Sequence, residues 1–266
     1  MHRVLRKWQA VLSIFVQEGI AYRASGVIWI LTDLVTAIVM PLVWSSAAGD
    51  GTIQGMTAAD FTAYYLAILI VGAWVTSHMM WEVATEIREG IFSVYLLRPF
   101  SVYQYMFIRN FAWRTIRTIL TLPFLLALAL LYRSYLGGAD LNLGWEFWTA
   151  VVLGHLVSFA FVMMISMIAL FVQEAVAIFE LYYIPQMFLS GYLFPLALLP
   201  EWAQAVAKAL PFYYTLGVPA DVLIGRLSGP DVTRAMSIQI AWIVVSYFGA
   251  RYLWRVGLKH YTGVGM

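Results

Sequence analysis

The sequence predicts an all-α polytopic membrane protein with six transmembrane helices, and three observations support that fold class. Of the 266 residues, 62% are hydrophobic and only 11% are charged, which is far from the composition of soluble domains. Six apolar stretches approach or exceed the roughly 20 residues that cross a bilayer core. Most lysines and arginines lie on one side of these stretches. The predicted spans are residues 26–47, 61–81, 114–132, 147–172, 175–195 and 235–254.

The distribution of basic residues predicts the orientation, because lysine and arginine resist translocation across a membrane. With the N-terminus inside, four basic residues fall on the outer side: Arg133, Lys208, Arg226 and Arg234. The other 12 of the 16 basic residues then lie on the cytoplasmic side. We therefore expect both the N-terminus and the C-terminus to be cytoplasmic.

The composition also excludes several classes of function. The chain has no cysteine, so it has no disulfide, no thiolate nucleophile and no cysteine-ligated metal. A net charge of +2 reflects the basic inner rim and does not indicate nucleic-acid binding. Neither the HExxH motif of metalloproteases nor the G-x-S-G motif of rhomboid-like serine proteases occurs. No cleavable signal peptide is predicted.

Residues 1–24 are predicted to form an amphipathic helix ahead of the first span. Apolar residues recur at helical spacing from Val4 to Gly19, and basic residues such as Arg6 occupy the opposite face. Such a helix can lie in the membrane interface with its basic face toward anionic headgroups, with a hinge at Tyr22. The alternative is an ordinary amphipathic start of the first span.

Residues 82–99, between the second and third spans, are patterned more strongly than a plain connector requires. Acidic residues recur over successive helical turns, Gly90 can end that helix, and Pro99 disfavours helix at the residue before it. A short helix with an acidic and an apolar face at the cytoplasmic surface suits docking into a groove of a soluble partner. The alternative is a solvated connector helix. The candidate contact residues are Glu82, Glu86, Arg88, Glu89, Gly90 and Arg98.

Residues 196–230, between the last two spans, are predicted to form short helices at the outer membrane surface. Prolines interrupt this segment and forbid one continuous helix, and an apolar stripe runs from Trp202 to Leu210. Broken helices at membrane depth need protein or a water-filled cavity around them, so we expect re-entrant or surface helices that cap a transport path. The alternative is an ordered extracellular loop. The candidate outer-gate residues are Gly191, Pro195, Pro200, Trp202, Pro211, Phe212 and Tyr213.

Four polar or titratable residues inside the predicted spans are of interest: Asp33, His78, His155 and Glu180. A charge within a membrane is costly, so each acid needs a partner or a function. Arg114 and Arg117, at the start of the third span, could snorkel to the interface or pair with one of the two acids. The alternative to a structural ion pair is a substrate or proton pathway. The two histidines are predicted to pack within the bundle.

Three stretches resemble the membrane subunits of ABC-2-type exporters. They are the basic N-terminal helix, the sequence EIREGIFSVYLLRP within residues 82–99, and the sequence SGYLFPLALLPEWAQAVAKALPFYYTLGVPADVLIG. The last is similar to the family's pattern small-Gly…Pro…Pro-x-Trp…Leu-Pro-Phe…Gly. Together with the spans, these stretches cover nearly the whole chain. Within the class, the chain most resembles a poorly characterised bacterial group of permeases of similar length, usually encoded with a second permease and an ATPase.

The resemblance implies a permease subunit in the plasma (inner) membrane of a bacterium. No G-x-x-x-x-G-K-[ST] loop occurs, so ATP and Mg²⁺ would bind to a separate nucleotide-binding ATPase subunit, present in two copies. A second permease subunit, identical or a paralogue, would complete the complex within membrane lipid. The candidate residues of 82–99 would receive the ATPase. No catalytic site, cofactor, metal or nucleic-acid partner is expected in this chain.

The expected function is ATP-driven export of an amphipathic small molecule, such as a drug-like or lipophilic compound. A lipid-linked polysaccharide or a teichoic-acid-like glycan is the alternative substrate, and the composition does not decide between them. A proton-coupled secondary transporter is the alternative of another class. Such a carrier would often show internal repeats with broken spans in both halves, and no convincing repeat is present.

Overall fold

The structure is a computed structural model that describes residues 2–98, 100–137, 139–172 and 175–261. Within these ranges it contains α-helices and no strand. The helices are α1 (His2–Ala21), α2 (Arg23–Ala48), α3 (Ala58–Val75), α4 (Met79–Arg88), α5 (Phe92–Leu96), α6 (Val102–Leu131), α7 (Arg133–Leu136), α8 (Trp145–Ser166), α9 (Ala175–Leu189), α10 (Glu201–Ala209), α11 (Gly217–Leu223) and α12 (Pro230–Gly257), with 3₁₀ turns at Met167–Leu170 and Leu196–Leu198.

Two apolar clusters lie toward opposite ends of the long helices. The first joins α3, α11 and the starts of α8 and α12 around residues such as Tyr64 and Leu216. The second joins α4, the start of α6 and the later part of α8 around residues such as Met80 and Phe159. Because α8 and α12 each contribute first to one cluster and then to the other, both helices run in the same direction. The two ends of the bundle are named below the α11 end and the α5 end.

Four helical segments in the described part of the chain are long and apolar enough to cross a membrane: Arg23–Ala48, Ala58–Arg88, Val102–Leu131 and Trp145–Leu170. They overlap the first four predicted spans. The fifth predicted span contains α9, which has 15 residues. The sixth contains α12, which is less apolar because Gln239, Ser246 and Arg251 lie within it. The six-span topology therefore stays a prediction.

The N-terminal amphipathic segment is a helix separate from the first span. α1 ends before Tyr22 and α2 begins after it, at the position where a hinge was predicted. α1 packs along α6, where the rings of Phe15 and Tyr105 lie 5.0 Å apart. At Gly19, an added Cβ would overlap the end of the Ile116 side chain, so a larger residue would require that side chain to move. The predicted position of α1 in the membrane interface stays a prediction.

The helix that contains the third predicted span starts before that span. The span was predicted to begin near residue 114, whereas α6 begins at Val102. Arg109 and Asn110 therefore lie on a long helix. Hydropathy misses this extension because a polar residue lowers the mean hydropathy of its sequence window. It does so whether its side chain faces water or a polar partner inside the protein. In α6 these side chains turn toward neighbouring helices.

Candidate functional site

A polar cleft lies between α2, α4, α6 and α9. Its main chamber has a volume of about 750 Å³, within the usual range of sites for drug-sized ligands. A smaller chamber of about 220 Å³ adjoins it. Trp29, His78, Arg117 and Tyr183 line both chambers, which together are named the polar cleft. The cleft presents apolar, aromatic and charged side chains to a molecule that enters it.

A break between α3 and α4 shapes one wall of the cleft. At this break, the Ser77 backbone N–H donates to Ser158 Oγ at 2.9 Å, and the Ser77 hydroxyl donates to Asn110 Oδ1 at 3.0 Å. The bond to Ser158 satisfies a backbone group that loses its helical hydrogen bond at the break, and the bond to Asn110 ties the break to α6. A broken helix at membrane depth is tolerated only where such groups are satisfied. His78 follows the break directly and lines both chambers.

Asp33 forms an ion pair with Arg117, one of the partners expected for it. The carboxylate of Asp33 on α2 contacts the guanidinium of Arg117 on α6. It also accepts a hydrogen bond from Tyr192 OH at 3.3 Å, and the Thr36 hydroxyl donates to the same tyrosine at 3.3 Å. This network joins α2, α6 and the segment after α9 around the smaller chamber. A role of the pair in transport stays a prediction.

The other three intramembrane candidates lie in different places. His78 stacks on Tyr183 with ring centroids 5.8 Å apart, and its Nδ1 lies 2.6 Å from Tyr183 OH. Glu180 lines the main chamber and forms no ion pair with a described residue. His155 lies outside the cleft, buried with its Nδ1 2.9 Å from the Trp74 carbonyl oxygen. Within the described residues, no cluster of three or more histidine or acidic side chains could hold a metal ion.

Arg109 links three helices beside the main chamber. Its guanidinium lies 2.6 Å from Glu86 on α4 and 3.4 Å from Glu18 on α1. The hydroxyl of Tyr95 donates to the same Glu86 oxygen at 2.9 Å. The contact of Glu86 with an ATPase stays a prediction, but its side chain is turned into the protein. The physical reason is that Arg109, placed on α6 by the longer helix, offers an internal partner.

The remaining candidates of residues 82–99 differ in exposure. Glu82 lines the main chamber, whereas Arg88 and Glu89 lie on the surface. Gly90 has φ +75° and follows the end of α4, a left-handed conformation that glycine adopts without steric cost. Arg98 donates to Tyr105 OH at 2.8 Å. Their contact with an ATPase stays a prediction.

The surface around α5 also exposes apolar side chains, which the sequence interpretation did not single out. Ile91, Val94 and Leu97 are 44%, 48% and 88% exposed. Phe92 between them is fully buried and packs against Trp254, with ring centroids 5.6 Å apart. A grouped apolar surface of this kind is a candidate contact site. Residues 88–98 are named the α5 turn.

The predicted outer-gate segment is a folded cap at the α11 end. Tyr64 OH donates to the Gly191 carbonyl oxygen and Tyr65 OH to the Leu193 carbonyl oxygen, both at 2.8 Å. Gly191 has φ +89°, and an added Cβ would overlap the Tyr64 hydroxyl. Glycine is therefore required here both by the backbone and by the neighbouring side chain. Residues 190–224 are named the cap.

Prolines and aromatic residues shape the rest of the cap. Pro195 and Pro200 directly precede the 3₁₀ turn and α10, and Pro211 lies between α10 and α11. Phe212 packs on the α9 side chain of Tyr182 at 5.5 Å. Trp202 is 72% exposed, so the apolar stripe of α10 faces away from the protein. Its location in the outer leaflet stays a prediction.

The helix α11 is buried along its whole length and carries a buried carboxyl group. Tyr213 OH donates to Asp221 Oδ2 at 2.6 Å, and Arg226 Nε lies 3.9 Å from Asp221 Oδ1. Burial raises the pKa of Asp221 to about 6, although the Tyr213 hydrogen bond and the Arg226 charge act in the opposite direction. This part of the cap is therefore packed into the protein and is not a solvated loop.

Asn110 is a cleft residue that the sequence did not single out, and Arg114 has an unexpected environment. They are 1% and 7% exposed and line the main chamber. Arg114 was expected to reach the interface or an acid, but it forms no ion pair with a described residue. Their spacing places both on one face of α6. This spacing could be recognised from the sequence only if the helix were extended back to Val102. The absence of glycine and proline from 102 to 122 permits this extension.

Comparison with known proteins places this architecture in a family. The family model described as ABC-2 family transporter protein matches residues 27–265, which include the α5 turn, the cap and the parts of the polar cleft that α2, α4, α6 and α9 supply. A search of curated proteins finds no match. A permease of the ABC-2 family works with an ATP-binding subunit. The chain therefore belongs to the ABC-2 family of transporter proteins and is a permease subunit of an ABC transporter.

Proposed function

We propose that the chain is the permease of an ATP-driven exporter whose polar cleft receives an amphipathic small molecule. The observation that carries this proposal is the direct connection between the α5 turn and the cleft. The turn follows α4, and α4 supplies Trp81 and Glu82 to the main chamber. A partner that moves the α5 turn would therefore also move a wall of the cleft.

The α5 turn has the properties of a contact with the ATP-binding subunit. Its exposed apolar residues, Val94 and Leu97, would leave water on contact, and each buried Å² of apolar surface contributes about 25 cal/mol. Arg88 and Glu89, also exposed, supply charges at the edge of the same surface. Phe92 anchors the turn on the bundle, so a displacement of the turn is passed on to the helices.

The link from the turn to the substrate runs through Glu86. This residue binds Arg109 on α6, which in turn contacts Glu18 on α1. A movement of α4 toward or away from α6 would change these distances and the width of the main chamber. In this proposal, ATP and Mg²⁺ bind on the partner subunit, and the permease converts the movement of that subunit into opening and closing of the cleft.

The lining and size of the cleft support an amphipathic cargo. Trp29, Trp81 and Trp113 form apolar walls, and charged residues from α1, α4 and α6 complete the main chamber. Such a mixture fits a molecule with an apolar body and a polar end. A volume of about 750 Å³ suits a drug-sized compound. A lipid-linked glycan, the alternative cargo, would have to extend far outside the chamber.

In the complete transporter, two permeases and two ATP-binding subunits would assemble in the bacterial inner membrane. Six spans per permease would place the α5 turn and both termini in the cytoplasm and the cap outside, as the distribution of basic residues favours. α2 would face lipid or the second permease, because Ile28 and Val35 on its outer side are 64% and 61% exposed. The second permease is either an identical copy or a paralogue.

The proposal is tested at Leu97. Leu97→Glu should reduce co-purification of the ATP-binding subunit and ATP hydrolysis by about tenfold or more, because a contact centre loses apolar area and gains a charge. Leu143→Glu is the matched control, since Leu143 is 57% exposed but precedes α8 at the other end of the bundle. It should leave both measurements unchanged. Full ATPase recovery with Leu97→Glu would show that the α5 turn is not the contact.

A transport assay tests the cargo and the direction. Inside-out vesicles that contain the permease, its partner permease and the ATPase should accumulate a fluorescent amphipathic dye when ATP is added. The Leu97→Glu vesicles should not accumulate it, whereas the Leu143→Glu vesicles should. ATP-driven loss of dye from the vesicle interior would contradict export.

A further inference from the structure

The wall that α6 contributes to the polar cleft contains buried nitrogen atoms without a hydrogen-bond acceptor. Among the cleft-lining residues that the structure describes, the buried atoms without a partner are Asn110 Nδ2, Arg114 Nε and Nη1, and Arg117 Nε. Every one of them is an N–H donor. A buried donor without an acceptor is costly, and a charged one more so. The arrangement therefore lacks an acceptor that carries negative charge.

Arg114 is the centre of this arrangement. It lines the main chamber, is 7% exposed, and has neither a hydrogen bond nor an ion pair with a described residue. Arg117 lies one helical turn further along the same face, but Asp33 already balances its charge. Arg114 is therefore the arginine of this face that has no ion-pair partner among the described residues.

The acidic residues of the main chamber do not supply the missing partner. Of the three glutamates that line the chamber, Glu18 pairs with Arg109, whereas Glu82 and Glu180 lie beyond ion-pair distance of any described base. The charge of Glu82 acts on the Arg114 guanidinium, but no carboxylate of the described residues accepts a hydrogen bond from it. A buried charge whose donors lack acceptors is unfavourable. The Nε and Nη1 atoms of Arg114 therefore still lack acceptors, which a ligand can supply.

We propose that Arg114 and Asn110 bind the anionic head of an amphiphile, a carboxylate or a phosphate. A guanidinium and a neighbouring amide N–H offer several donors to such oxygen atoms, and charge-assisted hydrogen bonds of this kind are the strong ones. The apolar body of the ligand would lie against Trp29, Trp113 and Leu120, which line the same chamber. This inference rests on the proposed function of the cleft and adds the charge of the molecule that enters it.

The test measures ligand binding to the purified full-length permease in phosphatidylcholine discs without an ATPase. The probes are cis-parinaric acid, an anionic fluorescent amphiphile, and its neutral methyl ester. Energy transfer from the protein's tryptophans to the polyene reports binding. The acid should bind about tenfold more tightly than the ester, which corresponds to one charge-assisted hydrogen bond. Equal affinity for the acid and the ester in the wild-type protein would overturn the proposal.

Three variants locate the binding site of the acid. Arg114→Gln should abolish the preference for the acid, and Arg114→Lys should retain part of it because the charge remains. Arg255→Gln is the matched control, since Arg255 is exposed on α12, and it should retain the full preference. Arg114→Gln should also melt no lower than the wild type, because it removes an unpaired buried charge. An unchanged preference, or a lower melting temperature, in Arg114→Gln would overturn the proposal.

Discs doped with phosphatidylglycerol distinguish two sources of the anion. Competition with parinaric acid would support the site and identify a lipid headgroup as its occupant. A preference for the acid that phosphatidylglycerol does not affect would support the site and identify an anionic cargo that is not this lipid. Failure here is distinguishable from failure of the proposed function. If the acid has no advantage but Leu97→Glu still loses the ATPase, only the charge of the cargo is overturned.

Discussion

The cap and the main chamber of the polar cleft belong to the same bundle and treat buried polar groups in opposite ways. In the cap, the hydroxyls of Tyr64, Tyr65 and Tyr213 each donate a hydrogen bond within the protein. In the chamber, Asn110 and Arg114 keep buried donors without an acceptor. Asp221 Oδ1 in the cap also lacks a hydrogen bond, but Arg226 lies 3.9 Å from it. A region whose buried polar groups have partners within the protein is stable without a ligand. A region that lacks acceptors becomes more stable when a ligand supplies them.

The two regions meet at the smaller chamber. Tyr65, which holds the cap through its hydroxyl, and Tyr192, which binds Asp33, both line that chamber. The cleft therefore ends against the cap. We expect the cap to act as a closure, because passage of a cargo toward the α11 end would then require these hydrogen bonds to open. The comparison predicts that changes in the cap affect stability, whereas the loss of Arg114 affects binding.

The largest effect is expected at Gly191. Gly191→Ala combines a positive φ with an overlap between Cβ and the Tyr64 hydroxyl, and should lower the free energy of unfolding by about 4 kcal/mol. Gly225→Ala is the matched control, because Gly225 has φ +72° but no neighbouring atom within 4 Å of an added Cβ. It should cost about 1 kcal/mol. Thermal unfolding in detergent measures both, and equal losses would show that the Tyr64 contact is not rigid.

The next largest effect is a pH dependence of the stability that Asp221 in the cap contributes. Burial raises the pKa of Asp221 to about 6, above the value of about 4 that an unfolded chain would have. The folded protein therefore binds this proton more tightly, and the contribution of Asp221 to stability is lost as the pH rises from about 4 to about 6. Over this interval the wild type should lose about 3 kcal/mol relative to Asp221→Asn. The control is Asp140→Asn, at an exposed position. If the free energy of unfolding changed equally with pH in the wild type and in Asp221→Asn across this range, the prediction would be contradicted.

A smaller effect contrasts two arginines of α6. Arg109→Gln leaves the carboxylate of Glu86, which is 12% exposed, without its ion-pair partner, and should cost about 2 kcal/mol. Arg114→Gln removes a charge that has no such partner and should cost nothing. Unfolding measurements on the two variants in the same detergent compare them directly. A cost for Arg114→Gln as large as that for Arg109→Gln would remove the distinction between the paired and the unpaired arginine of the chamber.

Parts of this architecture could be predicted from the sequence, because hydropathy and proline spacing report directly on membrane spans and helix ends. The break at Tyr22 and the proline-bounded α10 are examples. The site was harder to predict. The polar face of α6 resembles a loop in hydropathy, and only the tertiary structure shows that Arg109 meets Glu86 whereas Arg114 meets no acid. Local pattern contains no information on which distant helix supplies a partner.

The same limit applies to α11. The sequence GVPADVL contains a glycine, a proline and an acid, which locally favour a turn at the surface. The structure buries all seven of these residues, and the hydroxyl of Tyr213 provides the hydrogen bond that the Asp221 carboxyl needs there. Tertiary packing therefore overrides the local preference.

The smallest expected effect concerns the outer face of the cap, where the structure shows apolar side chains without a protein partner. On α10, Ala203 and Ala207 are buried, whereas Trp202 and Val206 are 72% and 41% exposed. An amphipathic helix with such a face is stable in the membrane interface, and in water the same face would be an exposed apolar patch. We therefore expect α10 to lie with this stripe in the outer leaflet.

Single cysteines test this placement cleanly, because the native chain has none. Ala205→Cys and Ala209→Cys, on the exposed stripe side, should react slowly with a membrane-impermeant maleimide in intact cells. Lys208→Cys, next to the polar cavity at the cap, should react about tenfold faster, since thiolate formation and access by the reagent both require water. Rates are normalised to labelling of the same variant after denaturation, which removes differences in expression. Equal rates at the three positions would place α10 in water, and the cap would then close the α11 end without support from the membrane.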